Sequence, residues 1–157
     1  MLSVEQKPGR SAWGSIPSGH PKGAGYMTTR INYVAVIVAA IVYFVWGGIW
    51  FTVFGGIWDT LTGVHGASAT TYVVSFLLGF PLAYVIANVL ADSASGASAA
   101  SGAILGAVIG LGIWATNLLG VDMFEQRPFT LWLIDAGYVV IGMAIVGAII
   151  GGWRKRT

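Results

Sequence analysis

The sequence predicts an all-α membrane protein with four transmembrane helices, arranged as two antiparallel hairpins. Two observations predict this class. Charged residues make up only 9% of the 157-residue chain and hydrophobic residues 56%, whereas soluble domains carry about 25% charged residues. Four apolar segments also have about the 20 residues that a helix needs to cross the hydrocarbon core. They lie at Ile31–Phe54, Thr71–Leu90, Ala99–Val121 and Phe129–Gly151.

Polar segments flank and separate these spans. Residues 1–29 are rich in Gly, Pro, Ser and charged residues and show no apolar period, which predicts a disordered tail with Met27 as a candidate natural start. Residues 30–153 are expected to form the four-helix transmembrane domain, and residues 154–157 a short basic C-terminus. The links between the spans are short, as in a compact bundle of two hairpins; they lie at 55–69, 92–98 and 122–128.

The basic residues predict the orientation. Seven of the eight Lys and Arg residues lie before the first span or after the fourth, and only Arg127 lies on the opposite side. Because segments with excess Lys and Arg stay in the cytoplasm, we expect a multi-pass protein of the cytoplasmic (inner) membrane with both termini cytoplasmic.

Composition excludes several kinds of chemistry. The chain has no cysteine, which excludes disulfides, thiolate metal sites and thiol nucleophiles. His20 and His65 are isolated in the sequence, whereas a metal needs three or four converging ligands. No nucleophile and base form a visible pair, and no basic face is available for nucleic acid. We therefore predict no metal, no cofactor, no nucleic-acid partner and no enzymatic activity.

Small residues recur at four-residue spacing in the third and fourth spans. This spacing lets two helix backbones approach closely. Packing inside the bundle is one interpretation, and a homo-oligomer interface is the other. The third span has Ser98, Gly102, Gly106 and Gly110, and the fourth has Gly147 and Gly151.

Asp135 is the most informative single residue, because a carboxylate at the centre of a span costs about 2.5–3.5 kcal/mol. At about 100° per residue, Asn117 falls on the glycine stripe of the third span, at a depth similar to that of Asp135. We predict that the two side chains lie within direct or single-water reach. They would belong to a buried polar cluster with Tyr138, Trp46 and Trp50. A structural hydrogen bond from Asp135 to Asn117, a tryptophan indole or a backbone group is one interpretation, and a substrate or proton site is the other.

The turn between the third and fourth spans carries the outer charges. Arg127 follows Glu125 by two residues and precedes Pro128. A surface ion pair of Arg127 with Glu125 or Asp122, worth under ~1 kcal/mol, is one interpretation. A gate or an anion-contacting rim is the other.

A short internal repeat relates the first and third spans. Gly48–Thr52 and Gly112–Thr116 share the pattern Gly-Ile-Trp-x-Thr, and Gly55 and Gly120 follow them. A tandem duplication would relate the two hairpins by a pseudo-two-fold axis along the membrane normal.

Several segments also carry a resemblance to a known family. They are Ile31–Val36, Gly47–Trp50, Asn117–Leu119, Phe124–Pro128, Leu131, Ile134, Gly137–Tyr138 and Gly147–Gly151. Over about residues 31–153 the chain resembles the domain-of-unknown-function 1761 family of small prokaryotic membrane proteins. The resemblance implies a four-span protein and supplies no reaction.

The favoured function is a non-enzymatic helix-packing interaction or accessory subunit, with the lipid bilayer and either a homo-oligomer or a larger membrane complex as partners. It rests on the glycine-rich faces and the lack of catalytic chemistry. The alternative is a small oligomeric transporter or channel with a polar site around Asp135 and Asn117.

Overall fold

The predicted all-α class is confirmed by the computed structural model, which describes residues 31–92 and 98–153. These residues form four long helices and no strand. Each helix is long and apolar enough to cross a membrane. They are α1 (Tyr33–Thr62), α2 (Ala69–Ala91), α3 (Ala99–Phe124) and α4 (Phe129–Gly152). The predictions for the N-terminal tail, for residues 154–157 and for most of the second link fall outside the described residues.

The first helix is longer than the apolar pattern predicts. It continues past Phe54 to Thr62, so the expected link that begins at Gly55 is wrong over its first part. Glycines are tolerated there because backbone groups in a low-dielectric setting must pair within the helix. The helix ends at Gly63, whose positive φ of 69° closes it and whose N–H donates to the Asp59 carbonyl at 2.9 Å. Its 30 residues span about 45 Å, more than the hydrocarbon core, so α1 must tilt or project.

The surface of the bundle is apolar. Large hydrophobic side chains of α1, α2 and α3 are widely exposed, among them Val53 at 67% and Ile113 at 70%. A monomeric soluble protein rarely exposes such continuous apolar area. Four membrane-crossing helices and a lipid-compatible surface together define a multi-pass integral membrane protein.

Helix α4 is the central helix of the bundle. It packs against α1, α2 and α3, whereas α1 and α3 make no contact with each other in the described part of the chain. The buried core lies where α1, α2 and α4 meet, and its fully enclosed members include Ala39, Ala83, Ile86 and Val146. The positions of the polar groups therefore depend mainly on how α4 packs against α1 on one face and against α3 on another.

The α3–α4 contact is a backbone contact made by glycines. A Cβ added at Gly102 would overlap the carbonyl group of Gly147, and one added at Gly106 would overlap that of Met143. Gly110 packs against Val140 and Met143, and Gly151 against the carbonyl of Ser98. The five glycines of the predicted stripes thus meet inside one chain, and the pairing shows that α3 and α4 run antiparallel.

The α1–α4 contact is built differently, with aromatic side chains on glycines. Tyr43 and Trp46 lie against Gly142, where an added Cβ would come within 2.6 Å of the Tyr43 ring. Trp50 lies over Gly137, where an added Cβ would come within 3.0 Å of the Trp50 ring. Small residues on α4 therefore create the grooves that the large rings of α1 fill.

The start of α1 and the end of α4 lie at the same end of the bundle. Asn32 caps α1 by accepting from the Ala35 N–H at 3.3 Å, and its side-chain amide donates to the Trp153 carbonyl at the end of α4, 3.4 Å away. The links at 63–68 and 125–128 therefore lie at the opposite end, which we call the outer end.

Candidate functional site

A π-helical turn, Gly110–Ala115, interrupts α3 in the middle of its span. Its backbone hydrogen bonds skip one more residue than those of an α-helix, and the Thr116 hydroxyl also donates to the Leu111 carbonyl, 2.8 Å away. Because the turn contains one extra residue, each residue after it points in the direction that the preceding residue would have in a straight α-helix. The outer half of α3 is rotated by about 100° relative to the expected register.

This rotation overturns the predicted place of Asn117. A straight helix puts Asn117 within about 20° of Gly110, facing α4. In the structure Asn117 is exposed and lines a shallow groove with Ile113, Trp114, Leu118 and Val121. The predicted contact between Asn117 and Asp135 is therefore wrong.

The same rotation brings other groups to α4. Ala115 is fully buried, and its carbonyl accepts a hydrogen bond from the Trp132 indole at 2.8 Å. Asp122, expected in the link, lies in the last turns of α3 and is only 3% exposed. Sequence reasoning missed this buried aspartate because its orientation depends on the π turn. The paired glycines Gly110 and Gly112 were the one available signal.

Asp135 has an indole partner on α1. Its Oδ1 accepts a hydrogen bond from Trp58 Nε1 at 3.0 Å. The side chain is partly buried between α1 and α4. Of the partners that the sequence analysis considered for Asp135, the structure shows a tryptophan indole. The sequence did not single out Trp58 as this partner, because the first span was expected to end at Phe54 and α1 continues to Thr62.

The other predicted cluster members lie along the same α1–α4 interface. Trp46 Nε1 donates to the Tyr138 carbonyl at 3.1 Å. The Tyr138 ring lies 5.4 Å from the rings of Tyr43 and Phe51. Trp50 Nε1 is buried and has no hydrogen-bond partner among the described residues. Four of the five predicted residues, Asp135 among them, thus lie at the α1–α4 interface, and Asn117 does not.

A second polar group lies at the outer end of α3. Arg127 Nε pairs with Glu125 Oε2 at 2.6 Å, and both side chains are about half exposed, at 46% and 47%. Arg127 Nη1 also lies 3.9 Å from Asp122 Oδ1, and the Arg127 N–H donates to the Asp122 carbonyl at 2.9 Å. The predicted ion pair of Arg127 is therefore present, and it borders a buried carboxylate.

We expect Asp135→Asn to change stability little, because the amide oxygen can still accept from Trp58. Asp135→Leu removes the acceptor and leaves the indole N–H unpaired, at a cost of about 1–3 kcal/mol. Thermal unfolding of the purified protein in detergent measures both. Asn117→Leu serves as the matched control and is expected to be mild. A loss at Asn117 equal to that of Asp135→Leu would contradict this assignment.

The polar groups of the site mainly connect helices. In the described ranges 31–92 and 98–153, no three His, Asp or Glu side chains converge on a point where a metal ion could be held. The polar groups instead join helices, α1 to α4 through Asp135 and α3 to α4 through Trp132.

The fold and these contacts define a four-helix, multi-pass membrane protein. The family model described as a protein of unknown function (DUF1761) matches residues 34–151, which is most of the chain. The chain therefore belongs to the DUF1761 family. No curated protein and no solved structure matches it.

Proposed function

We propose that this protein is a non-enzymatic membrane subunit that packs its helices against a neighbour in the bilayer, and that the neighbour is a second copy of the chain. The observation that carries the proposal is a pair of unused small-residue stripes on the outward faces of α1 and α3. A Cβ added at any of the four glycines in these stripes would meet no atom within 4 Å. The stripes are Gly48, Thr52 and Gly56 on α1, and Gly112, Thr116 and Gly120 on α3.

The two stripes share one pattern, Gly-x₃-Thr-x₃-Gly, which extends the internal sequence repeat. Gly48–Thr52 is plain α-helix, whereas Gly112–Ala115 lies in the π turn, so the repeated segments differ in backbone. In both, the threonine hydroxyl is satisfied by its own helix. Thr52 donates to the Gly48 carbonyl at 2.7 Å, and Thr116 donates to Leu111. The stripes therefore offer closely approachable surfaces without unpaired hydroxyls.

The placement of the stripes favours a directional assembly. Since α1 and α3 do not contact each other within the chain, α1 of one copy can pack on α3 of the next. Repetition of such a heterologous contact closes into a ring when the rotation permits. The exposed Asn117 amide lies beside the α3 stripe, where a polar group facing lipid gains from a partner on another helix.

Disulfide cross-linking tests this contact directly, since the chain has no native cysteine. Two differently tagged copies carrying Thr52→Cys and Thr116→Cys should form a mixed dimer on mild oxidation in native membranes. Leu77→Cys on α2, exposed at 56%, is the matched apolar control and should stay monomeric. The proposal that the neighbour is a second copy is refuted if the stripe cysteines do not cross-link, or if Leu77→Cys cross-links as strongly as they do. A stoichiometric foreign partner on copurification would instead indicate a larger membrane complex.

We also propose that the ends of the chain are cytoplasmic, in the inner membrane. The positive-inside asymmetry supports this orientation, and the contact of Asn32 with Trp153 keeps the two ends of the bundle on one side. A membrane-impermeant thiol reagent on intact cells should label Gln126→Cys and not Thr157→Cys; the reverse pattern would invert the orientation.

A second candidate function, a small oligomeric transporter or channel, is favoured by one specific observation. A transporter or channel needs polar groups within the bundle. Asn117, expected from the sequence to be one of them, faces outward, but Asp135 remains available and the buried carboxylate of Asp122 is a second such group.

A further inference from the structure

Asp122 is a buried carboxylate without hydrogen-bond donors. The residue is 3% exposed. Both carboxylate oxygens are buried, and neither accepts a hydrogen bond in the part of the chain that the structure describes. A buried carboxylate is strongly unfavourable unless a cation or donors compensate it. The cation nearest to Asp122 is Arg127, whose Nη1 lies 3.9 Å from Oδ1, and among the described residues Asp122 has no hydrogen-bond donor of the kind that Trp58 provides to Asp135.

The charges around Asp122 are unbalanced. Arg127 is the nearby cation, yet its Nε is committed to Glu125 at 2.6 Å while its Nη1 stays 3.9 Å from Asp122. Two carboxylates, those of Asp122 and Glu125, therefore share one guanidinium, and the local excess of negative charge attracts a further cation.

We propose that the outer ends of α3 and α4 form a binding site for a small organic cation with a guanidinium or ammonium group, in which Asp122 is the primary carboxylate. Arg127 is the resident counter-ion that such a ligand displaces. The class of ligand follows from the group already beside Asp122, a guanidinium nitrogen 3.9 Å away. Among the described residues, no set of three ligating side chains is placed to hold a metal ion instead.

The site is open to water, and Glu125 can hold the Arg127 side chain when a ligand displaces it from Asp122. The side chains of Arg127 and Glu125 are about half exposed, at 46% and 47%, so Arg127 can turn outward without crossing the core. Glu125 then retains Arg127 through their ion pair while the ligand takes the place beside Asp122. The two carboxylates thus have different roles, with Asp122 holding the ligand and Glu125 holding the displaced arginine.

Methylguanidinium is the probe, and its binding is measured by calorimetry on the full-length protein in lipid nanodiscs at constant ionic strength. Arg127→Ala removes the competing guanidinium, so we expect it to bind methylguanidinium at least tenfold more tightly than wild type. Adding Asp122→Asn to Arg127→Ala should abolish binding, whereas adding Glu125→Gln should leave it within about twofold. If Arg127→Ala does not fold, Arg127→Gln carries the same comparison.

Three results would overturn the site, and the first two come from the double variants. One is unchanged binding when Asp122→Asn is combined with Arg127→Ala, and the other is loss of binding with Glu125→Gln. No binding to any folded Arg127 variant also rejects it. Sodium and tetramethylammonium at equal concentration should not compete, since neither donates hydrogen bonds. The assay reports on a single chain, so its outcome is separate from that of the cross-linking between copies.

Discussion

Gly106→Ala is expected to destabilise the protein by about 1–3 kcal/mol, toward the upper end of the range for overpacking. The added methyl group would overlap the carbonyl of Met143 on α4. A side chain in its way could rotate aside, but a backbone carbonyl moves only if the two helices separate. Separation would also break the contacts of Gly102 with Gly147 along the same seam. Thermal unfolding in detergent, followed by circular dichroism, measures the loss.

Gly120→Ala is the matched control on the same helix, measured on the monomeric protein in detergent, where the proposed contact between copies is absent. A Cβ at Gly120 meets nothing within 4 Å, so this change should be neutral or stabilise α3 by up to about 1 kcal/mol through helix propensity. A larger residue off the stripe, Val108→Leu at a position 60% exposed, should be mild as well. Equal tolerance of alanine at Gly106 and Gly120 would show that the backbone seam does not hold α3 to α4.

Deletion of Gly112 is expected to lower stability by about 3 kcal/mol. Removing one residue converts the π turn into a regular α-helix and rotates the outer half of α3 by about 100°. The Trp132 bond to the Ala115 carbonyl is then lost, at about 0.5–1.5 kcal/mol. The Asp122 carboxylate also leaves Arg127, its nearest cation, and turns toward lipid, where a charge costs up to about 2.5–3.5 kcal/mol, lower near a helix end.

Gly112→Ala separates the effect of the turn from that of the residue. Within one chain a Cβ at Gly112 meets no atom within 4 Å, so in the detergent-solubilised monomer the substitution should keep wild-type stability while the deletion does not. Unfolding curves of the two variants, recorded side by side with wild type in one detergent, make the comparison. A deletion variant as stable as wild type would show that the outer part of α3 tolerates a straight register.

The amino-acid sequence by itself determined the membrane class, the number of helices, the family and the small-residue stripes. Each of these depends on composition, on segment length or on local spacing. Gly102, Gly106, Gly110, Gly147 and Gly151 were identified from spacing alone, because the regular part of α3 keeps the period of an ideal helix. Glu125 was one of the two ion-pair partners expected for Arg127, since the two residues share one turn.

The polar contacts were decided by tertiary structure. One π turn moved Asn117 outward and brought Asp122 inward, and no local pattern states where a helix will accept an extra residue. The extension of α1 to Thr62 brought Trp58, instead of Asn117, to Asp135. Spacing along a chain predicts the faces of a straight helix, but an interruption of its hydrogen bonds shifts every later residue together. Which groups meet then depends on how α4 packs against both neighbours.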